Sequence, residues 1–571
     1  MAIQRFKLAF NNARIPLVSS QASRAVFVPG LEAGTRAVQG ATGSRESTMD
    51  YQAAQLIYAE NVMPVPTGIR SVGYAQRIAP TVNTDFDSIF ALRDENENTV
   101  LYSPSAGKNY IYDGSVGAWS STTHAEIFDP LTVKTGYDPA NSKVTYAYVD
   151  GFTFVCFSRL LASDDSDMSI MVWDAATKTL QPAGALLANL PYPAGEIDGI
   201  SSSNGYLLIF SGISVAWAGF NGTAFDYQIY ANGALTGAGW QTPEDIQAPI
   251  TALINLPGGF VIFTGKNAIA ANYHAQSLGT PWVFREIPNA GGLESYEQAT
   301  VEGSRGTIVA YTTSGLQTIS LNSSEIDHPD VADFIATRTI ERYNFESYQF
   351  TQGSTNLDFY VKLSNVANRY TVISYGTYPK VYSFALVYDN ALKRWGKLRM
   401  VHRDCFYWNY GTVQGALTYA ALGDIPYNWS DDPPLTTYEE TAQYSNAFTS
   451  AQHALAFLKS SGEVVVADWS NSLRDTTDES VAVIGRIQLT RTSNVQFNRT
   501  EIEGLADGKV IVAPSYDGAN ITPPEELITI QSDRFLRIDG GLIDCKNFNL
   551  IVQGTFDLST IIIEGTTSGK I

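Results

Sequence analysis

One short element recurs through the middle of this chain: an apolar strand, a tight turn containing Gly or Ser, and a second apolar strand. Clear copies read VLYSPSAGKNYIY at Val100 to Tyr112, YLLIFSGISVAWAGF at Tyr206 to Phe220 and FVIFTGKNAIAA at Phe260 to Ala271. With the copies that have longer loops, first strands begin near residues 100, 152, 206, 260, 307, 357, 405 and 454, which keeps the spacing between 47 and 54 residues. A period this even is typical of stacked or radially arranged β units.

A single hairpin of this kind has too little apolar surface to fold alone. A ring of four-stranded units buries these faces against one another, and such β-propellers run to roughly 4–8 blades. The sequence therefore predicts an all-β chain with a propeller of about seven blades over residues 81–470, with six or eight blades left open. A solenoid of hairpins is the alternative, although its repeats are usually shorter, at roughly 20–45 residues. Helical stretches are scarce, and we expect at most single turns at Leu186 to Asn189 and Ala332 to Thr337.

Two flanking regions are expected on either side of the repeats. Residues 1–80 read as an N-terminal extended arm followed by a lead-in that Pro64, Pro66 and Gly68 interrupt. After a polar linker, residues 481–571 show further strand patterns and predict a small β-sandwich-like C-terminal domain.

Charge is sparse and unevenly distributed. Charged residues make up 16% of the chain and the net charge is −20, which argues against general binding of nucleic acid through a basic surface. The first 50 residues are slightly basic by contrast, with six basic and three acidic groups. Arg5, Lys7, Arg14 and Arg24 are therefore candidates for an arm that docks on a partner.

Cysteine usage and hydropathy place limits on the compartment. The three cysteines, Cys156, Cys405 and Cys545, lie far apart and give no disulfide framework. The N-terminal MAIQRFKLAF lacks the apolar core of a signal peptide, and no run of about 18 apolar residues occurs. We expect a protein made in the cytosol, without a membrane span.

No motif proposes a catalytic set, a cofactor site or a metal site. The five histidines show no paired spacing, and the nucleophile-elbow and phosphate-loop patterns are missing from the sequence. Acidic clusters matter because propeller glycosidases use paired carboxylates. The run SDDSD supplies Asp164, Asp165 and Asp167, but it lacks the spacing of a calcium loop, and a solvated loop tip is the simpler interpretation. The sequence predicts a protein that is not an enzyme.

One local pattern occurs three times at strand ends. An aromatic residue and an Asp end a strand, and in two cases a Trp opens the next one; the examples are Tyr112-Asp113 with Trp119, Trp173-Asp174, and Tyr388-Asp389 with Trp395. Asp is favoured there because its side chain caps the backbone of a turn. This resembles the outer-strand pattern of kelch-type propellers and predicts architecture.

Three segments resemble proteins from the tails of short-tailed bacteriophages. They are NVMPVPTGIRSVG at Asn61 to Gly73, FALVYDNALKRWGKL at Phe384 to Leu398, and the closing IVQGTFDLSTIIIEGTTSGKI. The match is to the tail nozzle family, also called tail tubular protein B, and to related propeller-bearing tail hubs. It covers the chain from about residue 50 onward, through short and degenerate motifs.

The resemblance implies a structural protein of the virion tail, assembled in the host cytoplasm. Members of the family form six-fold rings that contact an adaptor and tail fibres, enclose the DNA channel and gate it until ejection. DNA would pass without tight binding, and Asp164, Asp165 and Asp167 would be candidates for an acidic wall that faces the channel.

Two other function classes remain open. A carbohydrate-active or glycan-binding tail propeller would stack sugars on clustered aromatics such as Phe406, Tyr407, Trp408 and Tyr410, although core packing explains them more simply. A kelch-like protein-interaction propeller is the other. Fold alone does not separate these classes, because propellers host unrelated functions.

Overall fold

The structure is a computed structural model, and the residues that it describes are mostly β-strand. The described residues are 3–10, 51–53, 56–81, 86, 88–93, 99–105, 108–113, 118–122, 143–158, 170–193, 196–231, 234–274, 280–302, 306–326, 329–338, 340, 342–344, 349–351, 358–408, 455–469, 480–487, 494–515, 527–531, 535–539, 544–545 and 547–568. Among these residues, no helix has the length and apolar character needed to cross a membrane.

Six short strands precede the repeats in the part of the chain that the structure describes. They are β1 (Ile3–Ala9), β2 (Tyr51–Ala53), β3 (Leu56–Glu60), β4 (Val62–Val65), β5 (Gly68–Ser71) and β6 (Gly73–Ile78).

The repeats form four-stranded antiparallel units, which we call blades 1 to 7. Blade 1 comprises β7 (Phe90–Arg93), β8 (Thr99–Ser105), β9 (Lys108–Asp113) and β10 (Ala118–Thr122). Blade 2 comprises β11 (Val144–Val149), β12 (Phe152–Phe157), β13 (Ile170–Asp174) and β14 (Thr179–Pro182). A 3₁₀ turn (Ala183–Leu186) follows blade 2. Blade 3 and its attached pairs comprise β15 (Leu187–Ala188), β16 (Gly199–Ser203), β17 (Tyr206–Ser211), β18 (Ser214–Gly219), β19 (Phe225–Asp226), β20 (Tyr230–Ala231), β21 (Ala234–Leu235) and β22 (Gly239–Gln241). In blade 3, β16, β17, β18 and β22 form the four-stranded sheet, while β15 pairs with β19 and β20 with β21.

Blade 4 comprises β23 (Ile250–Leu256), β24 (Gly259–Thr264), β25 (Asn267–Tyr273) and β26 (Trp282–Gly291). A second 3₁₀ turn (Tyr296–Gln298) leads into blade 5, which comprises β27 (Ala299–Glu302), β28 (Thr307–Thr312), β29 (Gly315–Ile319) and β30 (Ser324–Ile326). Helix α1 (Pro329–Thr337) and the hairpin of β31 (Arg342–Asn344) and β32 (Gln349–Thr351) come next. Blade 6 comprises β33 (Tyr360–Val366), β34 (Tyr370–Gly376), β35 (Tyr382–Asp389) and β36 (Arg394–His402). Blade 7 comprises β37 (Asp404–Tyr407), β38 (Leu455–Leu458), β39 (Val464–Asp468) and, from before the repeats, β6.

The blades form a closed ring. One apolar cluster lies between each pair of neighbours, and adjacent residues of a second strand belong to the clusters on opposite sides, as the two-residue period of a strand requires. Shared clusters join Tyr102 and Val155 (blades 1 and 2), Phe154 and Leu207 (2 and 3), Leu208 and Ile262 (3 and 4), Val261 and Ile308 (4 and 5), Val309 and Ile373 (5 and 6), Val372 and Phe457 (6 and 7), and Val466 and Leu101 (7 and 1). Burial on both faces explains why these strands are apolar without alternation.

The sequence favoured about seven blades, and the ring has seven four-stranded positions. Six of them are separate sheets, and the other, blade 6, also pairs through β36 with β4 and so joins a larger sheet. The repeat starts near 405 and 454 both belong to blade 7, which explains why eight starts give seven positions. From blade 2 to blade 7, the first strands of successive blades contact one another, which makes them the innermost strands.

The remaining strands form a half-barrel sheet. They are β40 (Val481–Ile487), β41 (Asn494–Ser515), β42 (Leu527–Gln531), β43 (Phe535–Asp539), β44 (Asp544–Cys545) and β45 (Asn547–Ser568). Strands β41 and β45 pair with each other over nearly their whole lengths. The C-terminal region is all-β as expected, but its strands lie in one curved sheet in place of two small packed sheets, because two strands this long pair edge to edge.

The described part of the predicted arm is a strand of this sheet. β1 pairs antiparallel with β45, from Ile3 opposite Thr566 to Ala9 opposite Thr560. Residues 3–10 are extended, as the sequence predicted, but they are not free of the body, because their backbone groups find partners in β45. Strands β3 and β5 also pair in the half-barrel sheet, while β6 completes blade 7. Strand pairing thus crosses both of the domain boundaries expected near residues 80 and 481.

The expectation of single helical turns also needs one correction. Helix α1 has nine residues. Its Val331, Phe334 and Ile335 join the apolar cluster between blades 5 and 6, which supplies the tertiary packing that stabilises so short a helix.

Candidate functional site

A charged cluster lies where the first strands of several blades begin. Lys362, on the first strand of blade 6, extends its ammonium group between two carboxylates. Its Nζ lies 2.9 Å from Asp404 Oδ1 at the start of blade 7 and 3.4 Å from Glu297 Oε1 in the 3₁₀ turn before blade 5. All three side chains are nearly buried. We call Glu297, Lys362 and Asp404 the axial triad.

Further contacts connect the axial triad and its neighbour Tyr296 to blades 1 and 2. The backbone N–H of Ile89, just before blade 1, donates to Asp404 Oδ2 at 3.2 Å. Tyr296, beside Glu297 in the turn before blade 5, lies close to the backbone of Val144 in blade 2. Blades 2 and 5 are three steps apart in the ring, so the contact between Tyr296 and Val144 spans the axis.

The surroundings of Lys362 keep its side chain charged. Burial alone would lower the pKa of Lys362, but the carboxylates of Asp404 and Glu297 outweigh it and raise that pKa well above its usual value. Burial raises the pKa of Tyr382, whose phenol donates to Glu297 Oε2 at 3.2 Å, and the charge of Glu297 raises it further. The lysine is therefore a cation and Tyr382 a neutral phenol at physiological pH.

A histidine and a cysteine lie behind the triad, and both are neutral. Burial lowers the pKa of His402 to about 4. Its Nδ1 is 2.7 Å from Met400 O and its Nε2 is 2.7 Å from Ser374 Oγ, so the ring donates to the carbonyl and accepts from the hydroxyl. Burial likewise raises the pKa of Cys405 to about 12. A protonated thiol is a poor nucleophile, so this arrangement suits cohesion between blades better than bond-breaking chemistry.

A second cluster joins blade 6 to the half-barrel sheet, and we call it the joint. Arg394 on β36 donates from Nη1 to Val65 O at 3.0 Å and from Nη2 to Gly68 O and Phe10 O at 3.2 and 3.3 Å. Fully buried Lys397 places its ammonium 4.5 Å from the centre of the Tyr58 ring. Such cation–π contacts stabilise a cation that has left water.

Ion pairs and close backbone contacts complete the joint. Arg399 Nη1 lies 3.0 Å from Oε1 of buried Glu60, and Arg70 pairs with Asp557 of β45. A Cβ on Gly68 would lie 1.8 Å from Leu558 O, and one on Gly396 would lie 2.0 Å from Met63 Sδ. Only glycine permits the approach at position 68, where the neighbour is backbone, whereas a side chain at position 396 would require the Met63 side chain to move.

The structure describes only some of the candidate site residues that were predicted from the sequence. Arg5 and Lys7 lie in β1, opposite Glu564 and Ile562 of β45, whereas Arg14 and Arg24 lie outside the described residues. The acidic run of Asp164, Asp165 and Asp167 also lies outside them. Ser158, at the end of the described strand before that run, donates its backbone N–H to Lys143 O at 2.9 Å.

The aromatic and aspartate patterns can be assessed directly. Trp408 is buried and joins the cluster between blades 7 and 1, with Phe406 packed against it, as the core interpretation predicts, whereas Tyr407 is 38% exposed and does not fit that interpretation. Tyr410 lies outside the described residues. Asp389 Oδ1 accepts from the N–H groups of Ala391 and Leu392, and Asp174 Oδ1 accepts from that of Ala176, which confirms the turn-capping prediction for both.

Sequence reasoning missed the axial triad. One signal was present: Lys362 lies between the apolar residues Val361 and Leu363 of the first strand of blade 6, and a lysine inside a buried strand requires a partner. The identity of its partners depends on three blades meeting, which no local pattern encodes. In the part of the chain that the structure describes, no group of three or more His, Cys, Asp or Glu is placed to hold a metal ion.

Comparisons with known proteins give structural neighbours. No protein-family model and no curated protein matches the chain. The crystal structure of selenomethionine-substituted virginiamycin B lyase from Staphylococcus aureus is similar over 70% of this chain and 99% of its own, with 7% identity and a TM-score of 0.32. The β-propeller domain of Cps50 (Swd1) from Myceliophteria thermophila is similar over 69% of this chain and 99% of its own, with 7% identity and a TM-score of 0.34. Likeness at this identity concerns the fold alone.

Proposed function

We propose that this chain is a structural component of a bacteriophage tail, a nozzle-like ring protein that encloses and gates the DNA channel and conducts DNA at ejection. In this proposal, copies of the chain form a six-fold ring that contacts an adaptor and tail fibres. The protein is not an enzyme, and it resides in the virion tail after assembly in the host cytoplasm.

The observation that carries the proposal is the joint. The three segments that resemble tail proteins lie far apart in the sequence, yet residues of all three meet there: Gly68 and Arg70 from the first, Arg394 from the second, and Asp557 from the third. If these resemblances had arisen by chance in unrelated surface segments, there would be no reason for the segments to meet at one interface. The joint also fixes the propeller to the half-barrel sheet. A protein that bears load in an assembly requires such a rigid connection between its parts.

The axial triad argues that the DNA channel of the ring runs between copies of the chain and not along the axis of each propeller. Side chains meet near the propeller axis, and Tyr296, in the turn before blade 5, lies close to Val144 of blade 2, which leaves no room for a duplex at that level. The net charge of −20 per copy favours walls that repel phosphates and let DNA slide, with repulsion screened over about 8 Å at physiological salt.

Stoichiometry and DNA binding test the proposal. Native mass spectrometry of the purified protein with tail partners should give six copies in a ring, and a single copy per virion would overturn the idea. The purified protein should not shift duplex DNA on a gel at about 0.15 M salt. Turnover of host capsule or lipopolysaccharide in a reducing-end assay would favour the carbohydrate-active alternative, and a stable monomer with a non-tail partner would favour the interaction propeller.

A further inference from the structure

A long part of the chain carries no basic residue. Residues 179–265, which include all of blade 3, contain no Lys, Arg or His and five acidic residues. The acidic residues are Glu196, Asp198, Asp226, Glu244 and Asp245. Asp198 is buried, but the other four are exposed or half-buried, so this stretch adds negative charge and no positive charge to the surface.

Large apolar side chains are exposed on the same blade. Strands β20 and β21 form a small hairpin in which Tyr230 lies opposite Leu235, so the two share one face. Tyr230 is 61% exposed, and Trp240 on β22 is 53% exposed. Ile229 and Leu235 are exposed as well. We call Ile229, Tyr230, Leu235, Trp240 and Glu244 the blade 3 rim.

The rim is held in a defined shape and lies at a sheet edge. The Thr236 hydroxyl donates to Gln228 O at 2.6 Å, and its backbone N–H donates to Ile229 O at 3.1 Å, which closes the base of the hairpin. Strand β22 ends the blade 3 sheet, and among the described strands only β18 pairs with it. Exposed tyrosine and tryptophan on a firm scaffold are typical of the residues that dominate binding energy in protein interfaces.

We propose that the blade 3 rim docks a partner protein through a segment that is both apolar and cationic. The apolar side chains provide surface that a partner can bury. The acidic residues favour arginine or lysine in the partner, because this stretch of the sequence supplies no basic residue to pair with them. The same charge excludes nucleic acid and anionic lipid as occupants, because both would face uncompensated repulsion. The inference goes beyond the proposed role in a tail and does not depend on it.

Peptide binding to the full-length protein tests the inference. The probe is a fluorescent peptide of alternating arginine and valine, compared with a peptide of alternating glutamate and valine of the same length. Fluorescence anisotropy at about 0.15 M salt should show the arginine peptide binding at least about tenfold more tightly. The double variant Tyr230→Ser, Trp240→Ser should weaken that binding by about tenfold or more. Glu244→Lys should weaken it in a salt-dependent way.

A matched control distinguishes binding at the blade 3 rim from nonspecific binding to exposed apolar side chains. Ile326 is 65% exposed on the outer strand of blade 5, and Ile326→Ser should leave peptide binding unchanged. Equal binding of the two peptides, no binding of either, or binding that the double variant leaves intact would overturn the proposal. The wild-type protein could instead self-associate without binding either peptide. If the double variant abolished that self-association, the proposal would be overturned in favour of a second copy of the chain as the occupant.

Discussion

Lys362 Nζ lies 2.9 Å from Asp404 Oδ1, and the two residues belong to the innermost strands of neighbouring blades. The contact links blades 6 and 7, and Glu297 extends it to blade 5. An ion pair this well enclosed is costly to break, because the remaining charges stay buried without a partner. The axial triad is therefore the most informative place to test cohesion of the ring.

Lys362→Gln should lower the free energy of unfolding by about 3–5 kcal/mol, because it leaves the carboxylates of Glu297 and Asp404 without their cation. Chemical denaturation measures the loss. Lys459→Gln is the control: Lys459 also forms an ion pair, 3.0 Å from Glu463, but its side chain is 32% exposed and the loss should stay below about 1 kcal/mol. Equal losses would contradict a structural role for the triad.

Stability should fall on mild acidification because of His402. Its pKa is about 4 in the folded protein and 6.5 in the unfolded chain, so below pH 6.5 the unfolded chain takes up a proton that the folded protein refuses. The free energy of unfolding should drop by about 3 kcal/mol from this group as the pH falls from 6.5 to 4. In His402→Gln this component should be missing, and identical pH profiles for the two proteins would refute the assignment.

Phe10→Ala should destabilise the fold by about 3–5 kcal/mol, since Phe10 is fully buried after β1 and its carbonyl accepts from Arg394. The matched control Tyr378→Ala removes a side chain that is 67% exposed and should cost less than about 0.5 kcal/mol. Thermal unfolding compares the two. A free arm predicts no effect of Phe10→Ala, so an unchanged melting temperature would restore that interpretation.

Gly68→Ala should disrupt the joint, because the new methyl group would lie 1.8 Å from the carbonyl oxygen of Leu558, which is backbone and has little freedom to move. We expect a loss of about 1–3 kcal/mol. In Gly219→Ala the methyl group would meet only the Tyr206 side chain at 3.8 Å, and stability should be nearly unchanged. Limited proteolysis should cut the half-barrel sheet from the propeller in Gly68→Ala alone; similar digestion of both variants would argue against the joint as a rigid connection.

Local patterns predicted the blades but not what joins them. Runs such as Tyr206–Ser211 are apolar at successive positions because both faces are buried, and Asp389 follows its strand because the turn requires a cap. These signals are contained within a few residues. The partners of Ile3 and Lys362 are set by packing between segments far apart in sequence, where no hydrophobic period specifies the register. That is why neither the pairing of β1 with β45 nor the axial triad was predicted.

Blade 7 has a consequence for how the molecule is made. Its outer strand places Tyr74 opposite Ala467, so an early segment pairs with one synthesised hundreds of residues later. During synthesis, β6 has an unpaired edge until the last repeat has been made. Strand β1 stays unpaired for longer, because its partner, Thr560 to Thr566 of β45, is made later still. Contacts this distant slow folding and leave strand edges open to wrong partners. We expect nascent chains truncated before residue 464 to aggregate or recruit chaperones, and the ring to close as one of the final events.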